Sequence, residues 1–268
     1  MRLQQYLINE KGMPISAIRE TDLYKKISPS KQKEFEATWK NIKKDCQPFL
    51  KQLMKQPASG THDLLYRNMN VKGDIGSLAV RMDREPRDTP KVVHDLFDDI
   101  LEDVFGYRAR SKTIFCSGVE SWGGSYGSSY VIFPKGSFKF LWSERVKDSY
   151  DEVCMTAIKR TLSNQYEKET KELIGKSVPD KDVDDEFDMW LYDVTNRIKY
   201  DDLNDDERKL IYMALEYNIL ERINYKEDNL IKAIKSEHEI MIFCKDYYYL
   251  STYEFESLIK LFLWGSIY

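Results

Sequence analysis

Three short pieces of this sequence carry residue types whose spacing could do chemistry. Arg67 follows the run Leu64-Leu65-Tyr66, Ser117 follows Phe115-Cys116, and Glu237 and Glu239 flank His238 ahead of the apolar run Ile240-Met241-Ile242-Phe243. A guanidinium is a planar, permanently charged fork that suits phosphate or carboxylate groups in a way an ammonium does not. A carboxylate beside a centre that becomes positive stabilises the transition state more than the ground state. In a strand, residues i and i+2 share a face, so Glu237 and Glu239 are expected to point into one cleft with His238 turned away.

Each piece also has a plain structural use. An arginine at a strand end is an ordinary surface or ion-pairing residue. Ser117 and Gly118 suit a turn, and a Glu-x-Glu step is a common solvated edge in a chain with 45 acidic residues. Only their order, each beside an expected strand, favours a shared site. His62 and His94 read as a loop and a helix-face histidine, since nothing near them in sequence supplies a nucleophile or a third ligand.

The elements that must position these residues are legible from periodicity. Phe35, Trp39, Ile42, Cys46, Phe49 and Leu53 step by three and four, predicting an amphipathic helix that starts at Ser28-Pro29 and is kinked or split by Pro48. After a Pro/Ser/Gly loop, Leu64 to Tyr66 suit a short buried strand ending at Arg67. The segment from Thr89 to Gly106 predicts a helix with Thr89 as N-cap, Pro90 in the first position and Gly106 at the stop. A strand over the run Ser111 to Gly118 follows, then a hairpin from Tyr130 to Ser143 broken at Pro134-Lys135-Gly136. Helical periodicity returns from about residue 150 to 230, with Asn204 and Glu207 as a capping pair. Ile240 to Phe243 read as a central strand, and the run from Tyr253 to Tyr268 as a closing helix. The order is α+β: an N-terminal helical region over 1–58 and a mixed domain over 59–268 with a helical insertion at about 150–230.

Composition narrows the classes. A mean hydropathy of −0.58 with 32% charged residues leaves no stretch of the roughly 20 apolar residues that a bilayer span needs, so a soluble protein is expected. A net charge of −4, with both signs interspersed, offers no field to gather nucleic-acid phosphates. Cys46, Cys116, Cys154 and Cys244 lie far apart and only three histidines are present, so reduced thiols and no structural metal are expected. The acidic runs at 180–188 and 201–208 read as solvated faces and helix starts. The opening twelve residues lack the apolar core and cleavage site of a secretory signal. Their Leu3, Tyr6 and Leu7 share a helical face that would dock on a partner or on the chain's own domain.

In the order Arg67, Ser117, Glu237-His238-Glu239, these pieces resemble the R-S-E layout of the ADP-ribosyltransferase superfamily, in which a split β-sandwich binds NAD⁺ in a central cleft. LLYR stands for the arginine strand, FCSG for the Ser-Thr-Ser segment and EHEIMI for the E-x-E turn and its strand, while SYGSSYVIFP resembles the aromatic-containing helix and following strand. The resemblance covers about residues 60 to 150 and 231 to 250 and departs from the family's pattern twice. Asn68 stands where a small residue follows the arginine, and asparagine tolerates positive φ. Cys116-Ser117-Gly118 stands for Ser-Thr-Ser, with Ser117 as the serine.

The resemblance implies a mono-ADP-ribosyltransferase that moves ADP-ribose from NAD⁺ to an arginine of a host protein. Glu239 would stabilise the oxocarbenium-like ribose as nicotinamide leaves. Arg67 would hold the diphosphate or the adjacent ribose, and Ser117 would hydrogen-bond Glu239 and fix its rotamer. Glu237 would orient the acceptor guanidinium and take its proton, and Tyr126 or Trp122 would stack on nicotinamide.

A second resemblance lies at the N-terminus, where MRLQQYLINE is similar to the short targeting peptides of proteins packaged inside the heads of large tailed phages, with Ile8-Asn9-Glu10 as the cleavage step. REPRDTP through RARSKTIFCSG, YVIFPKG and FKFLWS also resemble uncharacterised tailed-phage proteins. These likenesses imply a protein of the host cytoplasm, packaged in the virion and injected or expressed after infection, with the capsid interior and a host protein as partners. The rival from another class is a non-catalytic virion or host-interaction protein with the same fold. A nuclease is disfavoured, because no compact Asp/Glu/Lys set stands out on a strand pair.

Overall fold

The computed structural model describes residues 12–56, 63–85, 89–120, 126–148, 197 and 202–265, and the chain divides into two compact units. One comprises 1–80, 113–142 and 226–268, the other 81–112 and 143–225. The amphipathic opening segment of residues 1–11 lies outside the described residues, as do Cys154 and His62.

The first unit is α+β, with N-terminal helices and two antiparallel sheets. Short helices α1 (Ile15–Ile18) and α2 (Asp22–Lys25) precede α3 (Pro29–Asp45) and α4 (Gln47–Leu53). The helix expected from Ser28 onward does split. Ser28 caps α3 by accepting the Lys31 N–H, Pro29 sits in its first turn, and the break falls at Cys46. Pro48 is then in the first turn of α4, where a missing amide donor costs nothing.

Strands β1 (Tyr66–Met69), β4 (Ser128–Pro134), β7 (Asp246–Ser251) and β2 (Ile75–Ala79) form one sheet in the order β1-β4-β7-β2. Strands β3 (Ile114–Cys116), β6 (Ile240–Phe243) and β5 (Lys139–Trp142) form the other in the order β3-β6-β5. The apolar run at Ile240 is therefore central, as its continuous hydrophobicity predicts. The expected hairpin over Tyr130 to Ser143 does not form, because β4 and β5 belong to different sheets. The intervening residues bond elsewhere: Lys135 N–H donates to Asp246 O at 2.9 Å and Gly136 N–H to Asp45 O at 2.7 Å. A Pro-Lys-Gly break is compatible with a tight turn, but the partners offered by β7 and α3 decide the path.

Helix α8 (Leu230–Lys235) leads into β6, and α9 (Thr252–Trp264) closes the unit with Gly265 in the left-handed region at φ 76°. The core is aromatic. Phe35 stacks on Phe255 with ring centroids 5.2 Å apart, and Trp39 and Phe49 both meet Phe133 of β4 edge-on. The N-terminal helices thus share one core with the four-stranded sheet and α9.

In the second unit, α5 (Lys91–Phe105) ends at Gly106, which takes φ 81° as the stop signal requires. Its start differs by one residue from expectation. Pro90 occupies the cap, and the Thr89 hydroxyl accepts from Arg110 Nη2 at 3.4 Å instead. Helix α6 (Ala109–Lys112) follows, so Ser111 and Lys112, expected in a strand, are helical. Helix α7 (Asp205–Tyr217) begins directly after Asn204 and passes into a π-helix (Asn218–Ile223). Buried Asn218 donates to the Ala214 carbonyl at 2.7 Å, and Arg145 Nη1 takes the Glu221 carbonyl at 2.6 Å. The rest of the expected insertion, residues 150–196 and 198–201, lies outside the described residues. No described helix is long and apolar enough to cross a membrane.

Phe35 touches Trp39, Phe255 and Phe262, so Phe35→Ala leaves a cavity that two helices line. It is expected to lower the unfolding free energy by about 3–5 kcal/mol, read as a shift of the urea midpoint.

Candidate functional site

The seam between the two sheets is made by two backbone bonds. Tyr66 N–H donates to Ser117 O at 2.8 Å, and Ser117 N–H donates to Tyr66 O at 3.0 Å. The arginine strand and the serine segment therefore meet, with Arg67 one residue beyond the bridge. Arg67 is the second residue of β1 and not its end, because β1 continues to Met69 against β4. Asn68 is likewise ordinary strand, with no positive φ, and its amide donates to Gly127 O at 3.2 Å.

On the other side of Ser117 lies β6. Cys116 pairs with Ile240, so the antiparallel register, continued one step, brings Ser117 level with Glu239. The segment from Glu237 to Glu239 is not part of β6, however. Helix α8 ends at Ser236, whose hydroxyl donates to Ala233 O at 2.7 Å and accepts from His238 N–H at 3.2 Å. The chain then reverses through Glu237 at φ 62° before β6 begins. The expectation that Glu237 and Glu239 share a strand face is corrected by this turn, since alternation holds only for extended backbone.

Ser117 is fully buried, and its hydroxyl donates to Glu237 O at 3.2 Å while accepting the Val119 N–H at 3.1 Å. The bond expected from Ser117 to the Glu239 carboxylate is thus made to the Glu237 backbone. Close packing enforces this arrangement. A Cβ on Gly118 would overlap the Ile234 carbonyl oxygen of α8, so only glycine lets the serine segment lie against the end of that helix.

The guanidinium of Arg67 is half-buried. Its Nη1 donates to Phe115 O at 3.5 Å, and its buried Nε has no hydrogen-bond partner among the described residues. Its charge reaches Cys116, Cys244 and Tyr247. Burial pushes both thiols up to about 12, with the Arg67 charge working against it, so at neutral pH they are protonated and unfit as nucleophiles. The Tyr247 phenol is raised by the same burial, and its hydroxyl donates to Met69 Sδ at 3.4 Å.

Sequence reasoning did not find Tyr66. Its phenol is raised by burial and then by the Glu256 carboxylate, to which it donates at 2.8 Å. Glu256 in turn pairs with Lys260 at 3.0 Å. Nothing in the local pattern signals this polar group, because its members come from β1 and α9, far apart in sequence. Tyr126 is about half-exposed, ahead of β4, and Trp122 lies outside the described residues. Among the described residues no three His, Cys, Asp or Glu side chains gather as a metal would need.

Comparison with known families, curated proteins and solved structures finds no match to this chain.

Two substitutions separate the strains at this junction. Gly118→Ala is expected to lower stability by about 2–3 kcal/mol or more, since the obstacle is backbone. Glu237→Gly is expected to leave stability unchanged or raise it by up to about 1 kcal/mol, because it relieves a left-handed non-glycine residue. Urea unfolding of both variants checks the pair.

Proposed function

We propose that this chain is a mono-ADP-ribosyltransferase of the arginine-modifying kind, acting on a host protein, and that its paired sheets form an ADP-ribosyltransferase-like split β-sandwich. The observation that carries this reading is the convergence of three distant sequence pieces on one seam. The Arg67 strand is bonded to Ser117, Ser117 is bonded to Glu237, and Glu239 immediately precedes the strand that pairs with Cys116. The unsatisfied Nε of Arg67 also fits a residue meant to hold a phosphate, since a buried guanidinium donor without a partner costs stability unless a ligand supplies one.

In this reading NAD⁺ is a substrate. Arg67 supplies its fork to the diphosphate or the adjacent ribose. The bond between the ribose C1′ and the nicotinamide nitrogen breaks, its electron pair leaves with nicotinamide, and the Glu239 carboxylate stabilises the positive sugar. An acceptor guanidinium nitrogen then bonds to C1′ and gives its proton to Glu237. A turn outside the strand suits that second role, because exposed Glu237 can meet an incoming protein. Ser117 acts indirectly, by anchoring the turn that carries both carboxylates.

The second reading is a non-catalytic virion or host-interaction protein with the same fold. It is favoured by the use of the Ser117 hydroxyl on backbone atoms alone, which is what a purely structural serine would do. Radiolabelled NAD⁺ incubated with the purified chain and a host extract separates the two. Glu239→Gln is expected to cut label transfer at least about a hundredfold with folding unchanged, and Arg67→Lys to raise KM for NAD⁺ more than it lowers kcat. Absence of both transfer and NAD⁺ binding by the wild type would leave the interaction protein standing.

A further inference from the structure

The second unit contains a buried histidine that none of the foregoing uses. His94 on α5 is 3% exposed. Its Nε2 lies 3.1 Å from Ser111 Oγ on α6 and 3.6 Å from Asp98 Oδ2. The Ser111 hydroxyl has one proton and donates it to Asp98, so it accepts from a protonated Nε2 of His94. Asp98, fully buried, also receives the backbone N–H groups of Arg110 at 2.6 Å and Ser111 at 3.0 Å. The three side chains thus tie α6 back onto α5, and the tautomer leaves His94 Nδ1 as a bare acceptor. That Nδ1 is buried and has no hydrogen-bond partner among the described residues.

A second proton on this ring would go to Nδ1, where no acceptor faces it. The charges that reach His94 are Arg110 and Arg84 against it, and Asp98 and Asp95 of its own helix in favour. Arg108, from the α5–α6 turn, draws on Asp98 at 3.8 Å and pairs with Asp99, which weakens the claim of Asp98 on the ring. Helix α7 is bonded to α5 through Tyr212 at Asp103, at the far end of the helix. We propose that His94 is an acid-sensitive latch: neutral, it holds α6 on α5, and its protonation releases α6.

Burial, followed by the Arg110 charge, lowers the pKa of this histidine, and the sign follows from linkage. The open form takes the proton first, so the latch holds fully above the ordinary histidine value of about 6.5 and weakens as pH falls below it toward the folded value. One proton accounts for at most about a tenfold loss of closure per pH unit.

Hydrogen–deuterium exchange of the full chain, corrected for intrinsic exchange rates, tests this at pH 7.5 and 5.5. Protection of peptides from 91–112 is expected to fall about tenfold in the wild type while peptides from 240–264 hold theirs, and His94→Gln, which keeps a donor for Ser111 but cannot be protonated, is expected to abolish that difference. Equal loss in both segments, or the same loss in His94→Gln, overturns the latch. Should the variant not fold, NMR titration of the wild-type imidazole decides. A ring that titrates below about 6.5 together with the Ser111 amide supports the latch, whereas one that titrates at or above that value, or without the amide, overturns it.

Discussion

The reciprocal backbone bonds between Tyr66 and Ser117 are the constraint on which the candidate site depends. The two sheets are otherwise separate ladders, and this bridge brings β1 alongside β3. Backbone groups buried at such a junction must be paired, because an unsatisfied amide or carbonyl there costs as much as a lost hydrogen bond. Once Ser117 is held by Tyr66 its hydroxyl is free to take the Glu237 carbonyl, and the turn ahead of β6 is set. Gly118 completes the junction by admitting the end of α8 at a distance no side chain would permit.

Packing supports the seam from one side. The aromatic cluster of Phe35, Trp39, Phe49, Phe133 and Phe255 joins three helices to β4. Strand β4 is also the partner of β1. Fixing β4 against the helices therefore fixes the strand that carries Arg67. The arginine faces buried thiols and a buried phenol whose protons burial retains, so its charge meets no fixed anion among them. A charged group kept in such surroundings is costly unless something compensates it, and the ligand-binding role proposed for Arg67 rests on that cost.

The left-handed conformation of Glu237 is the other local cost. A glutamate gains nothing from that region, and a residue held there against its preference persists only because its surroundings over-determine it. Here they are the Ser236 cap on α8 and the hydroxyl of Ser117. The same two contacts present the exposed Glu237 side chain beside the start of β6. Strain at this position and exposure of its carboxylate thus have a single origin.

By itself the sequence determined the elements whose signals are local: the split helix after Ser28, the stop at Gly106, the central strand at Ile240 and the presence of a closing helix. Each follows from side-chain periodicity or from a cap that acts within a few residues. It also named Arg67, Ser117 and the glutamate pair by their order along the chain. Only the tertiary structure decided that β4 and β5 join different sheets, that Glu237 lies in a turn, that Ser117 bonds backbone and not carboxylate, and that Ser111 belongs to a helix. Those outcomes rest on hydrogen-bond partners drawn from distant segments, such as Asp246 for Lys135 and Asp98 for Ser111. A buried backbone group takes whichever partner the assembled chain offers it, and local pattern has no knowledge of that offer.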